Sequence, residues 1–152
     1  MIAGFRRRDK WNAFPLSPPT ARRRPTKDLQ PPSMIINPLS EQTPFTTADG
    51  STIRSLLDRT NAPVENQSLA EAGLPASGAT QRHYHRLSEE FYFILEGSGT
   101  MEIDGEERSV GPGDAILIPP GAWHQIRTGA DGGVRFLCCC APPYAHEDTY
   151  FS

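Results

Sequence analysis

The amino-acid sequence predicts an all-β fold, either an antiparallel sandwich or a barrel. From residue 45 onward it consists of short strand-forming runs separated by glycine and proline, at a spacing of roughly 8–12 residues that is typical of such folds. No helical period lasts beyond one turn. The dipeptide Asp104-Gly105 predicts a two-residue hairpin, because both positions tolerate a positive φ.

Each strand is predicted by a β-forming run between turn signals. The first, 51–58, is ambiguous between a strand and a short helix, and Ala115–Ile118 (AILI) is predicted to be a buried strand between two turns. In chain order the predicted runs are 51–58, 66–72, 80–85, 91–95, 100–103, 106–110, 115–118, 123–128 and 134–140.

The first 33 residues differ in composition from the rest. They hold eight basic residues, two aspartates and six of the fifteen prolines. Such a segment buries too little apolar surface to order itself, so we predict a disordered leader over 1–33 and one folded domain over 34–152. A transit peptide is an alternative. Another hypothesis is that Met34 is the natural start.

The composition of 34–152 excludes several classes of function. Seven arginines stand against sixteen acidic residues, and lysine is absent, which removes Schiff-base chemistry and disfavours nucleic acid as a partner. No apolar run is long enough to span a membrane. The adjacent cysteines 138–140 form a poor disulfide framework, which predicts a reducing, cytoplasmic location.

The histidines are the candidate chemical groups. His83 and His85 lie two residues apart in a strand-forming run, so both project from one face, and Glu89 and Glu90 follow. Imidazole and carboxylate groups at this spacing suit a divalent metal ion, although the same pattern occurs on solvated strands. His124 belongs to a second glycine- and proline-bounded segment, GDAILIPPGAWH.

Together these two segments resemble the motifs of the cupin family. The first motif has two histidines, a glutamate and a glycine, and the second has glycine, proline, glycine and histidine. The matching residues are His83, His85, Glu90 and Gly97, then Gly113, Pro119, Gly121 and His124. The resemblance covers 78–97 and 113–128. It departs from the family pattern at Gly78, one residue too close to the histidines, and at Thr128, where asparagine is usual.

The resemblance implies a jelly-roll barrel (a double-stranded β-helix) with a metal site. It implies that a divalent transition metal, Mn, Fe, Ni, Co, Cu or Zn, is bound by His83, His85, Glu90 and His124. A cupin that retains these residues without using a metal is the alternative. Counting back from Gly97 selects Glu90 over Glu89 as the ligand.

Strand alternation predicts the neighbours of this site. Gln81 and Tyr92 are expected to face the pocket as polar groups, and they are the candidate catalytic residues. Cys138 and Cys140 are also expected to face inward as small core residues. Arg82 and Arg127 fall on the outward side, which disfavours a phosphate-binding pocket, whereas Arg54, Arg59 and Arg86 remain free to reach it.

These observations predict a metal-binding protein that acts on a small polar molecule. The first hypothesis is a metal-dependent isomerase, lyase or oxygenase, and the alternative is a non-catalytic binding or sensing module with the same site. The barrel is expected to form a homodimer. The segment 141–152 is expected to be either a solvated tail packed on a neighbouring subunit or a flexible lid that contributes His146.

Overall fold

The computed structural model describes residues 33–152 and is almost entirely β-structure. Two short 3-10 turns, Leu39–Glu41 and His146–Asp148, accompany the strands. The eleven strands within the described residues are β1 Phe45–Thr46, β2 Thr52–Leu57, β3 Ser68–Leu74, β4 His83–His85, β5 Glu89–Gly97, β6 Gly99–Ile103, β7 Glu106–Val110, β8 Ala115–Ile118, β9 His124–Arg127, β10 Val134–Ala141 and β11 Thr149–Phe151.

The strands form two antiparallel sheets around one core. One sheet has the order β1-β2-β3-β10-β5-β8, and the other has the order β11-β4-β9-β6-β7. Ile94 and Phe136 of the first sheet meet Met101 and Ile126 of the second in a single buried cluster. The all-β prediction is therefore confirmed, and the ambiguous segment 51–58 forms strand β2.

Two glycine-containing turns are dictated by backbone geometry. Asp104 and Gly105 both adopt positive φ (48° and 88°) between β6 and β7, as the hairpin signal predicts. Gly97, at the end of β5, has φ 73°, and a Cβ atom there would collide with the carbonyl group of Gly133. Only glycine lets these two chain segments approach so closely.

The prediction that 115–118 is a buried strand is wrong in one respect. The segment does form strand β8, but it lies at the edge of its sheet. Its side chains alternate in burial, so that Ile118 is 1% exposed whereas Leu117 is 52% exposed. Only one face of this antiparallel sheet packs on the core, so alternate side chains of β8 point outward, which the continuous apolar run of the sequence did not reveal.

The two departures from the family motifs compensate for each other. The Gly78 N–H donates to the Thr128 hydroxyl oxygen (2.8 Å), and the Thr128 N–H donates to the Gly78 carbonyl (2.9 Å). The Thr128 hydroxyl in turn donates to the Pro75 carbonyl (2.6 Å). The short side chain of Thr128 thus connects the loop before β4 to the end of β9.

The C-terminal segment belongs to the domain, contrary to both expectations for 141–152. Strand β11 pairs with β4, with Thr149 opposite His85 and Phe151 opposite His83. The Asp148 carboxylate accepts hydrogen bonds from the backbone N–H groups of Leu87 and Ser88, at 3.0 to 3.1 Å. This segment is thereby held against its own chain.

The predicted leader over 1–33 lies outside the described residues, apart from Ser33, so the division at residue 34 stays a prediction. Within 33–152, no helix has the length and apolar character needed to cross a membrane.

Candidate metal centre

Three strands from both sheets bring the four predicted ligands together. His83 and His85 lie on β4 and His124 lies on the neighbouring strand β9, whereas Glu90 lies on β5 of the other sheet. One potential ligand atom from each residue lies within 4.8 Å of those of the others, and all four residues are buried. Their convergence is the geometry that a shared ion requires.

Each histidine ring is oriented by a hydrogen bond at Nδ1. His83 Nδ1 lies 2.7 Å from the Gln81 carbonyl oxygen, and His124 Nδ1 lies 3.0 Å from the Ala122 carbonyl oxygen. His85 Nδ1 lies 3.2 Å from the Thr149 hydroxyl. The two carbonyl oxygens can only accept, so they place the ring protons of His83 and His124 on Nδ1 and leave Nε2 for a metal. The Thr149 hydroxyl can accept from His85 in the same way, an arrangement that is general among metal-binding histidines.

The Glu90 carboxylate completes the cluster. Its Oε1 accepts a hydrogen bond from the Cys140 thiol (3.3 Å). Its Oε2 lies 3.4 Å from Nε2 of both His85 and His124, within ion-pair range. Nevertheless, Glu90 Oε2 and His124 Nε2 are buried without a hydrogen-bond partner among the described residues. Orphaned buried polar atoms are costly, and an ion between them would satisfy both.

The titration behaviour of Glu90 and His83 suits a bound cation. Burial acts to raise the pKa of the Glu90 carboxyl, but the adjacent His124 and His85 rings hold that pKa well below its usual range. Burial and the nearby His124 ring lower the pKa of His83. Burial acts to lower the pKa of His85, but the Glu90 carboxylate raises it above its usual value. An ionised glutamate and a neutral His83 are the forms that bind metal.

A cavity of about 280 Å³ opens from this cluster. Most of its wall is apolar. The apolar and aromatic residues that line it include Phe45, Ile53, Leu69, Ala70, Ala72, Tyr92, Phe136, Cys138 and Phe151. This combination of an apolar wall with a few placed polar groups is usual for a small-molecule site.

Tyr92 and Gln81 differ in their placement. Tyr92 lines the cavity and is 4% exposed. The expectation that Gln81 faces the pocket is wrong, since its side chain is exposed and its amide donates to the Ser152 carbonyl (3.4 Å). Strand β4 begins only at His83, so the alternation of a strand does not extend back to Gln81. Gln81 acts on the site through its backbone carbonyl instead.

The predicted directions of two cysteines and two arginines agree with the structure. Cys138 and Cys140 line the cavity, and all three cysteines are free. Arg82 pairs with Glu102, and Arg127 pairs with Glu107, both away from the cavity. Of the three arginines whose position was open, Arg59 lines the cavity.

Comparison with known proteins agrees with this architecture. A family model described as the cupin domain matches residues 71–140, which include all four candidate ligands. The chain belongs to the cupin superfamily. One relative is an uncharacterized protein of Methanocaldococcus jannaschii, MJ1618, which is 47% identical over 106 residues, spanning 70% of this cupin and 85% of that protein.

Two Streptomyces proteins are also similar. The tetracenomycin polyketide synthase protein TcmJ of Streptomyces glaucescens is 25% identical over 105 residues, covering 66% of this cupin and 70% of TcmJ. The solved structure of the polyketide cyclase RemF from Streptomyces resistomycificus superimposes with a TM-score of 0.65 at 28% identity. That superposition covers 76% of this cupin and 89% of RemF.

Sequence reasoning missed two residues near the site. Thr149, which contacts His85, lies 64 residues away along the chain, and no motif spans that distance. Asp49 lines the cavity from the loop between β1 and β2. Its sequence, TADGS, carries only a turn signal.

Proposed function

We propose that this cupin is a metal-dependent enzyme that acts on a small polar molecule in its cavity, by isomerase, lyase or oxygenase chemistry. His83, His85, Glu90 and His124 hold a divalent transition metal, one of Mn, Fe, Ni, Co, Cu or Zn. Relatives described as a polyketide cyclase and a polyketide synthase protein support an enzymatic role on small molecules.

One observation carries this proposal. Two buried polar atoms, Glu90 Oε2 and His124 Nε2, lack hydrogen-bond partners among the described residues and face each other across 3.4 Å. The Nδ1 atoms of His83 and His124 are meanwhile satisfied by backbone carbonyls. If these residues had only a structural role, Glu90 Oε2 and His124 Nε2 would also have hydrogen-bond partners. Their lack of partners therefore indicates that a ligand binds between them.

The donor set fits a catalytic ion. Three imidazoles and one carboxylate would hold the metal, which, when bound, would supply Lewis-acid polarisation of a substrate oxygen or activation of water or O₂. The chain's own residues hold and orient the substrate. The apolar wall excludes water, and the small cavity selects a compact molecule.

Tyr92 is the candidate catalytic group within the cavity. Burial and the nearby Glu90 charge raise the pKa of the Tyr92 phenol well above its usual value. The hydroxyl therefore stays protonated and can donate a hydrogen bond to a substrate oxygen. Its ring packs on Phe136 at a centroid distance of 4.5 Å, which fixes its direction.

Elemental analysis of the purified protein tests the metal assignment. His85→Ala and Glu90→Ala are expected to lose most of the bound metal. Glu89→Ala is a matched control, because Glu89 is the adjacent carboxylate on β5 and is exposed. Unchanged metal content in the first two variants, or equal loss in the control, would overturn the ligand set.

A metabolite screen with the metal-loaded protein then separates the reaction classes. Oxygen uptake indicates oxygenase chemistry, and turnover without oxygen uptake indicates an isomerase or lyase. Tight binding with no turnover of any bound compound would reject the enzyme hypothesis in favour of a non-catalytic binding module.

We also propose that the chain forms a cytoplasmic homodimer through the outer face of the six-stranded sheet. Phe91 and Phe93 on β5 are 48% and 44% exposed, and Leu117 on β8 lies directly opposite Phe91. Adjacent exposed apolar side chains of this kind mark association surfaces. A second copy, related by a two-fold axis, would cover them.

A further inference from the structure

The cavity contains two aspartates outside the metal cluster, and their surroundings differ. Both oxygens of Asp58 are engaged: Oδ2 accepts from the Ser55 hydroxyl, and Oδ1 accepts from Thr60 and from the Asn61 N–H. Asp58 therefore serves the turn after β2. Each of its two oxygens already accepts a hydrogen bond from residues of this segment.

Asp49 has one oxygen fixed and one oxygen free. Its Oδ1 accepts three hydrogen bonds, from the Thr47 hydroxyl, the Ser51 N–H (3.0 Å) and the Ser51 hydroxyl (2.7 Å). Its Oδ2 has no hydrogen-bond partner within residues 33–152. The three donors hold the carboxylate in one orientation, so Oδ2 is a preorganised acceptor.

This carboxylate belongs to the same cavity as the metal cluster. Asp49 is half-buried and lines the cavity together with His83 and Tyr92. Its backbone carbonyl accepts a hydrogen bond from the Gln81 N–H (2.6 Å), two residues before His83. Burial raises the pKa of the Tyr144 phenol, and the Asp49 charge adds to that effect. Loop β1–β2 thus places a negative charge on the cavity wall.

We propose that Asp49 determines the specificity of the site by accepting a hydrogen bond, through Oδ2, from an O–H or N–H group of the ligand. This inference deepens the proposed function, because it gives the metal-bound substrate a second point of attachment. The ligand class is a compact molecule that has an apolar body, an oxygen for the metal and a hydroxyl or amino donor elsewhere. A ligand without the donor leaves a partly desolvated carboxylate oxygen unpaired, which costs affinity.

Paired probes test this assignment on the full, metal-loaded chain. The probes are 3- and 4-hydroxybenzoate and their methoxy counterparts, measured by titration calorimetry. Each probe offers a carboxylate to the metal and a ring to the apolar wall, and only the hydroxyl probes have the donor. The wild-type protein is expected to bind at least one hydroxybenzoate about tenfold more tightly than its methoxy counterpart.

Asp49→Asn keeps the fixed acceptor oxygen and replaces Oδ2 by an amide N–H₂ donor. The preference for the hydroxyl probe is expected to fall to within about threefold or to reverse, because the acceptor has become a donor. Asp58→Asn is the matched control and keeps the preference. Asp49→Ser, with a short hydroxyl in the turn, is a second variant in case the first does not fold, and it is expected to lose the preference as well.

The outcomes separate this inference from the proposed function. A wild-type protein that binds none of the probes, or does not discriminate between them, overturns the role of Asp49, as does an unchanged preference in Asp49→Asn. If the protein contains metal but fails this test, the metal assignment is retained and the proposed role of Asp49 is rejected. If elemental analysis finds no metal but chelator-treated protein keeps the Asp49-dependent preference, the role of Asp49 is retained and the metal-dependent function is rejected.

Discussion

Thr149→Val removes the hydroxyl group that lies beside Nδ1, the nitrogen of the His85 ring that points away from the cluster. The Thr149 hydroxyl lies 3.2 Å from His85 Nδ1 and 3.4 Å from the Ala145 carbonyl. The hydroxyl can therefore accept a hydrogen bond from the His85 Nδ1–H group while it donates one to the Ala145 carbonyl. Valine has nearly the same shape as threonine, so the substitution deletes the hydrogen bond and leaves the packing intact.

The expected magnitude follows from the weakness of this contact. Outer partners of metal-binding histidines typically contribute ten- to a hundredfold to metal affinity. A neutral hydroxyl at 3.2 Å is a weaker acceptor than a carboxylate, and β4–β11 pairing still positions the ring. We therefore expect a loss of about tenfold in metal affinity, or about 1.4 kcal/mol.

Competition between the protein and a metal-chelating dye measures this loss directly. Thr149→Ser, which keeps the hydroxyl, is expected to bind metal within about twofold of the wild type, well inside the tenfold change above. Equal affinities for Thr149→Val and the wild type would refute the reasoning. Equal weakening by both variants would also refute it, because the loss would then come from the packing of the methyl group.

Three further predictions concern stability and assembly. Phe136→Ala, at a core position that is 1% exposed, is expected to cost about 3–5 kcal/mol in urea unfolding, and a loss below about 1 kcal/mol would contradict its central place. Hydrogen bonds from Arg82 lower the pKa of the Glu102 carboxyl in the folded protein. The ionised carboxylate therefore stabilises the fold at pH values above its unfolded pKa of about 4.3. This stabilisation is lost as the pH falls through the lower pKa of the folded state. Glu102→Gln should accordingly be less stable than the wild type at neutral pH in urea titrations and equal to it in strong acid; a constant difference across that range would count against the ion pair. Leu117→Glu places a charge in the proposed interface, so light scattering is expected to show a monomer instead of a dimer. A wild-type protein that is itself monomeric would contradict the proposed interface.

The sequence predicted the strands best where local chemistry determines the structure. The Asp104-Gly105 turn and the flanking strands depend on backbone preferences of adjacent residues, and the structure has them as expected. Strand alternation also placed Cys138 and Cys140 on the inner face of β10. The same reasoning failed at Gln81, where the regular strand had not yet begun.

The groups around the site that sequence could not predict depend on long-range pairing. Asp49 reaches the cavity only because its loop is hydrogen-bonded to the segment before β4. Leu117 is exposed because it lies on the outer face of its sheet, beside Phe91, and not on the face that packs on the core. Neither feature leaves a periodic or motif signal, since each is decided by which strands become neighbours.

The distribution of the four candidate ligands over two sheets has a mechanical consequence. Glu90 is the single member supplied by the six-stranded sheet, and the three imidazoles come from the five-stranded one. A bound ion would therefore link the two sheets across the interior of the sandwich. The unfolding temperature would then rise with the free metal concentration, as mass action requires. Replacing that one carboxylate is expected to reduce the stabilisation by metal in step with the lost metal affinity, because only binding to the folded state contributes to it.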